Sequence, residues 1–285
     1  MKQFYNLMKK VPLLAGILGV VFSFVFMKVV GAGNAPIGLE GMLKRMALTF
    51  VTLLFLYLIS GAKVFENSAN ETGYALKKLL PFLIYPMIAG VMLLVTTIRS
   101  SSLKTDWPVA LVIVLVEMLF VGLFEELTYR ALINDAILYQ YREKKGVFVA
   151  IAIVSCCVFG IIHVLGSDVS TPLAFGQAAM KTINCGLWGF SFLIIYWKTH
   201  NIWAGALAHG FYDGCIEVTR FLFEGKERSG GYVLKGTIEG EGGAIDAGVV
   251  GLGTGLFEFV FMIILTIVMI KVLKSIDFKK IREEW

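Results

Sequence analysis

Stretches of about twenty predominantly apolar residues recur along this chain from residue 11 to residue 272, each long enough to cross a hydrocarbon layer as a helix. In lipid every backbone N–H and C=O must be satisfied inside the protein, so a spanning element is a helix or part of a closed barrel. Barrel strands would read as alternating segments of about ten residues, and these runs do not alternate. The chain therefore reads as all-α, a polytopic membrane bundle of about eight transmembrane helices. The expected spans are 11–30, 45–61, 79–98, one beginning near Trp107, 147–165, 173–197, 201–218 and 247–272. Span 7 is short and polar enough to be broken or only partly inserted. Composition excludes a soluble domain: 57% of the 285 residues are hydrophobic and 16% charged, with a mean hydropathy of +0.77. We expect a single integral membrane domain over 1–285 with its chemistry concentrated at about 107–216.

The first apolar run follows Lys9 and Lys10, like a signal peptide, but no small-residue cleavage site follows it, so an uncleaved first helix is expected. With eight spans both termini share one side. The terminal segments and the loops after spans 2, 4 and 6 carry 15 Lys and Arg, among them Lys2, Lys9, Lys63, Lys144 and Lys145. The opposite loops carry 8, among them Lys226 and Arg228. This imbalance predicts cytoplasmic termini in a plasma membrane of the bacterial or archaeal kind. The basic pI of about 8.9 reflects loop charges and calls for no nucleic acid. The four cysteines sit in or beside apolar runs and read as small core hydrophobes. The long polar loop at 221–247, rich in glycine, predicts a flexible external loop, a lid or a disordered linker.

Charged groups inside the apolar runs carry the functional signal, because they are costly there. Glu125 and Glu126 close the apolar run VALVIVLVEMLFVGLFEE. Adjacent residues point about 100° apart on a helix, so the two glutamates are expected to have different roles. Arg130, four residues on, shares the face of Glu126 and is its expected partner. Glu125 is left without a cation on its own helix. A structural alternative places both at the headgroup level, paired with Arg130 and solvent. Spans 4 and 5 fold back at YREKKG, and residue 144 is the midpoint of residues 125 and 163, so Glu125 and His163 should reach the same depth. His209 and Asp213, four apart, share a face. We expect these groups to line one water-accessible cavity opening toward the cytoplasmic side.

Phe159, one turn before His163, reads as a site wall or as a lipid-facing or core residue, and Glu125, left without a cation on its helix, as the candidate base. A carboxylate in an apolar cavity takes a proton more readily than an exposed one and can activate water. Histidine N–H groups can stabilise the oxyanion of an amide under attack. Ser155, Cys156 and Cys157 are not favoured as nucleophiles. Two histidines and a glutamate can also hold zinc, but HExxH is absent and the ligands would come from three helices. No cofactor is therefore expected, with zinc left open.

In these motifs the chain resembles the CPBP intramembrane proteases, which include CAAX prenyl endopeptidases of the Rce1 type and bacteriocin-processing or immunity (Abi-like) proteins. EExxxR is met by Glu125, Glu126 and Arg130, FxxxH by Phe159 and His163, and His followed four residues later by Asn or Asp by His209 and Asp213. The resemblance covers about residues 107–216. It implies a membrane endopeptidase in which Glu125 and His163 activate water and His209 and Asp213 stabilise the oxyanion. The family's prenyl proteases carry Asn where this chain has Asp213. An ionised Asp repels an oxyanion, so Asp213 must be protonated or must orient His209. The implied partners are the bilayer and a peptide or membrane-protein substrate, with or without a lipid anchor. A different class of function, a proton-coupled transporter or a binding or immunity protein without catalysis, would use Glu117, Lys181, Glu217 and Glu258 as an ion path.

Overall fold

The computed structural model describes residues 10–29, 38–61, 66, 69–225, 233–240 and 243–284. Helices occupy all eight expected positions: α1 (Pro12–Val29), α2 (Leu39–Ser60), α3 (Thr72–Ser100), α4 (Trp107–Tyr141), α5 (Val147–Ile162), α6 (Pro172–Thr199), α7 (Ile202–Leu222) and α8 (Ala247–Leu273). A short α9 (Phe278–Glu284) follows. The protein is an all-α polytopic membrane bundle. Among the described residues six helices are long and apolar enough to cross a membrane; α5 is apolar but has 16 residues, and α7 is not one of the six. Lys2, Lys9, Lys63, Lys226 and Arg228 lie outside the described residues.

Local chemistry sets the helix ends. Pro172 at the first turn of α6 lacks only an N–H that would have been unpaired there, and Thr171 caps it by accepting from Ala174 N at 3.2 Å. Asn201 caps α7 by accepting from Ala204 N at 2.7 Å. Asp246 caps α8 by accepting from Gly248 N at 2.6 Å. Part of the glycine-rich loop is ordered into an antiparallel hairpin, β1 (Thr237–Gly240) with β2 (Gly243–Asp246), a departure from a purely helical chain. The hairpin's root is fixed: Gln177 on α6 donates to Leu234 O at 3.0 Å and accepts from Leu234 N at 2.8 Å. Lys235 also pairs with Asp168 in the α5–α6 loop.

The centre of the bundle is the seam between α4 and α7. Its closeness depends on two glycines. A Cβ on Gly122 would lie 2.3 Å from Ala206 O, and one on Gly210 would lie 2.6 Å from Met118 O. Any larger residue would wedge the helices apart. At one end of this seam the chain just before α4 is stapled to the chain just after α7, with Lys104 N donating to Leu222 O at 2.9 Å and Glu224 N to Ser102 O at 3.0 Å.

Midway along α4 the helix changes winding. Leu127–Leu132 forms a π-helical stretch immediately after the glutamate pair. Such turns carry one extra residue and leave backbone groups to be satisfied from outside. Ser155 on α5 does part of this, donating its hydroxyl to Tyr129 O at 2.7 Å. Its proton is thereby committed to the backbone. Residues 126–138 are buried throughout, so this half of α4 is enclosed by the bundle and does not project from it into solvent.

Candidate functional site

Glu126 and Arg130 meet on α4 with Arg130 Nε 3.1 Å from Glu126 Oε2, both side chains fully buried. A buried guanidinium needs more than one neighbour. Arg130 lies over the Phe159 ring at 4.3 Å and is walled by Trp188 at 5.7 Å and Tyr129 at 5.9 Å. Desolvated cation–π contacts are worth about 2 kcal/mol or more. Phe159 therefore sits at the centre of the site, between Arg130 and the rings of His163 at 4.6 Å and His209 at 6.0 Å.

His209 reaches the same carboxylate from α7, its Nδ1 2.8 Å from Glu126 Oε1. Its other nitrogen, Nε2, lies 3.3 Å from Glu125 Oε2 and 3.9 Å from Asp213 Oδ2. The two glutamates diverge on the helix as expected, yet one imidazole touches both because its nitrogens lie on opposite edges of the ring. Gly205 keeps α7 close here, since a Cβ would stand 3.2 Å from Glu126 Oε2.

His163 completes the cluster from the end of α5. Its Nδ1 is 2.6 Å from Phe159 O and its Nε2 is 3.9 Å from Glu125 Oε2. The fold-back at residues 142–146 brings residues 125 and 163 together, though the gap exceeds a direct hydrogen bond.

These contacts fix the tautomers. A backbone carbonyl can only accept, so His163 Nδ1 carries a proton and the neutral ring presents its Nε2 lone pair to Glu125. The carboxylate of Glu126, neutralised by Arg130, likewise takes the His209 Nδ1 proton. Glu125 Oε2 has no hydrogen-bond partner among the described residues. Three acceptors therefore converge on one point: Glu125 Oε2, His163 Nε2 and His209 Nε2. Acceptors cannot satisfy one another, and such a point binds donors, either a water or a proton.

Side-chain exposure rises in one direction through the cluster: Glu126 2%, His209 5%, His163 14%, Glu125 18% and Asp213 34%. Asp213 is one turn beyond His209 toward the C-terminal end of α7. The mouth thus faces the end of the bundle that holds the α5–α6 loop and the hairpin, away from the basic α4–α5 turn. The reason is that α5 ends at the depth of the site, whereas the inner half of α4 is sealed by its neighbours.

Residues 105–215 match the Rce1-like family of type II CAAX prenyl endopeptidases. No curated protein and no solved structure gives a significant match to the chain. The family segment contains all seven residues singled out from the sequence, and buried His–Glu contacts of this kind support a glutamate- and histidine-based protease chemistry in general terms. Among the described residues no group of three or more His, Cys, Asp or Glu side chains is placed to hold a metal ion, and all four cysteines are free. Trp188 and Tyr129 also wall the cluster. The Trp188 ring is 4.4 Å from that of His209, a contact that one aromatic residue in an apolar run does not announce.

Proposed function

We propose that this chain is a glutamate-dependent intramembrane endopeptidase that needs no metal. The observation carrying the reading is the convergence of three acceptors, Glu125 Oε2, His163 Nε2 and His209 Nε2, on one point. A water there donates to Glu125 and His163, which a 3.9 Å gap allows because one water can sit off the line joining them. As the water oxygen bonds to the scissile carbonyl carbon, its proton passes to Glu125. The carbonyl oxygen becomes the oxyanion and takes a hydrogen bond from His209 Nε2, which has bound a proton from solvent before the substrate arrives and whose charge is balanced from behind by Glu126. Collapse breaks the C–N bond, and the proton held by Glu125 passes to the leaving amine. Asp213, at the open edge, orients the protonated His209 and keeps its own charge off the oxyanion by lying beyond the ring.

The remaining buried carboxylates argue against an ion path. Glu117 accepts from Gly38 N at 3.0 Å, Glu217 pairs with Arg220 at 3.1 Å, and Glu258 accepts from Tyr212 at 3.1 Å. Each is engaged with a partner of its own. With eight spans and cytoplasmic termini, the mouth of the site faces the opposite leaflet, so the substrate bond is cut near that surface. Purified protein in bicelles should cleave a membrane-bound fluorogenic peptide and keep that activity after exhaustive chelation. One zinc per chain, lost together with cleavage, would overturn the mechanism. Cysteine labelling of Ser167→Cys from outside sealed vesicles should locate the mouth.

A further inference from the structure

The α6 helix supplies no acid or base to the cluster, yet Asn184 and Trp188 on it each keep a buried polar atom without a hydrogen-bond partner among the described residues. Asn184, 1% exposed, donates to Gly255 O at 2.9 Å and to Glu258 Oε2 at 3.3 Å, while its Oδ1 has no hydrogen-bond partner among the described residues. Trp188, 6% exposed, has its Nε1 in the same condition. Buried polar groups in folded proteins are nearly always satisfied, and the exceptions collect where a ligand arrives. These two stand four residues apart on one helical face, one an acceptor and the other a donor. The face adjoins the proposed chemistry: the Trp188 ring packs 4.4 Å from His209 and 5.6 Å from Tyr212, the neighbour of Asp213.

Spacing and polarity suit a polypeptide backbone. Four helical residues rise about 6 Å. An extended chain repeats its edge-facing N–H and C=O groups every two residues, about 6.7 Å. A lipid headgroup or an acyl chain would not supply alternating donors and acceptors at that interval. We propose that Asn184 and Trp188 form a backbone-reading subsite that holds the substrate chain extended beside the scissile bond, Asn184 Oδ1 accepting a backbone N–H and Trp188 Nε1 donating to a backbone carbonyl. This rests on the endopeptidase reading above. An extended strand is the form a protease requires, because helical amides have their carbonyls engaged. The subsite therefore selects segments already unwound, or unwinds them by offering replacement hydrogen bonds within lipid, where unpaired amides are costly.

The test uses the whole protein in bicelles and a cleavable peptide whose amides are replaced one at a time by esters, each removing one N–H. At one position near the cut, the ester should raise KM by about 3- to 10-fold in the unaltered protein, the value of one hydrogen bond. That penalty should vanish in Asn184→Ala, while penalties elsewhere persist. Trp188→Phe, which keeps the ring and removes the donor, should raise KM by a similar factor with a smaller change in kcat. A purely structural role for Asn184 would weaken all peptides equally and leave every ester penalty in place, and that result overturns the subsite. So does an unchanged KM in Trp188→Phe. A protein that cleaves no peptide at all fails the proteolytic reading and takes the subsite with it; one that cleaves without the ester coupling loses the subsite alone.

Discussion

Two half-buried carboxylates, Glu125 on α4 and Glu258 on α8, are alike in sequence and opposite in structure. Both interrupt apolar runs. Glu258 has both oxygens matched by neutral donors, Tyr212 at 3.1 Å and Asn184 at 3.3 Å. Glu125 leaves an oxygen unpartnered and faces two imidazole nitrogens at 3.3 and 3.9 Å. A carboxylate whose donors come from the fold is a fastening between helices. One surrounded by acceptors is incomplete until a donor arrives, which suits it to move protons. Burial does not separate the two; the polarity of the nearest atoms does.

The sharpest way to break this comparison is the same isosteric change at both sites. Glu125→Gln should lower kcat by about 10²- to 10⁴-fold, the usual worth of a positioned general base, without lowering the melting temperature. Glu258→Gln should keep activity within about 3-fold, since the glutamine oxygen still accepts from Asn184 and its amide group can donate to the Tyr212 hydroxyl, at a stability cost of about 1 kcal/mol. Equal losses of activity at the two positions, measured on matched preparations, would erase the distinction.

Next in size come the supports of the cluster. Arg130→Met should cost about 3–5 kcal/mol by leaving the Glu126 charge buried and unpaired, read as a lower midpoint in denaturant titration. The double variant Arg130→Met with Glu126→Gln should recover part of that loss. Gly210→Ala should cost about 1–3 kcal/mol through overpacking and reduce kcat as well, because Met118 O must retreat and α7 carries His209 with it. A folded, fully active Gly210→Ala protein would show that the seam does not set the Glu125–His209 distance.

Outside the membrane the expected effect is smallest. The side chain of Lys235 holds the Asp168 carboxyl down at about 2. Because that value lies below the ordinary carboxylate range, the tie contributes above that range and is lost as pH falls through about 2. The pair is exposed, so salt should weaken it. Hydrogen-exchange protection in 164–171 should fall only slightly in Lys235→Ala, by an amount that stays the same between neutrality and the ordinary carboxylate range.

Much of this was legible from the sequence. Runs of apolar residues located the helices, and a count of residues about position 144 placed Glu125 opposite His163. The pairing of Glu126 with Arg130 follows from helical spacing. Legibility failed where three dimensions decide. Residue spacing on α4 separates Glu125 from Glu126 and says nothing of an imidazole from another helix bridging both. The hairpin within 221–247 is short, and the anchors of its root, Gln177 and Asp168, are distant in sequence. Trp188 reads as one aromatic among many until α6 is laid against α7.

The π-helical stretch at Leu127–Leu132 makes α4 a rod with a gear change. Its outer half is indexed to α7 by Gly122, and its inner half to α1, where a Cβ on Gly16 would strike Ala136 Cβ at 2.2 Å. One residue of slack between the two lets each half keep its own rotational setting. Deleting one residue from this stretch would restore ordinary winding, lose no charged group if Ala131 were the one removed, and turn the glutamate pair out of phase with everything inward of it. Homologous helices should accordingly tolerate substitution here far better than a change in length.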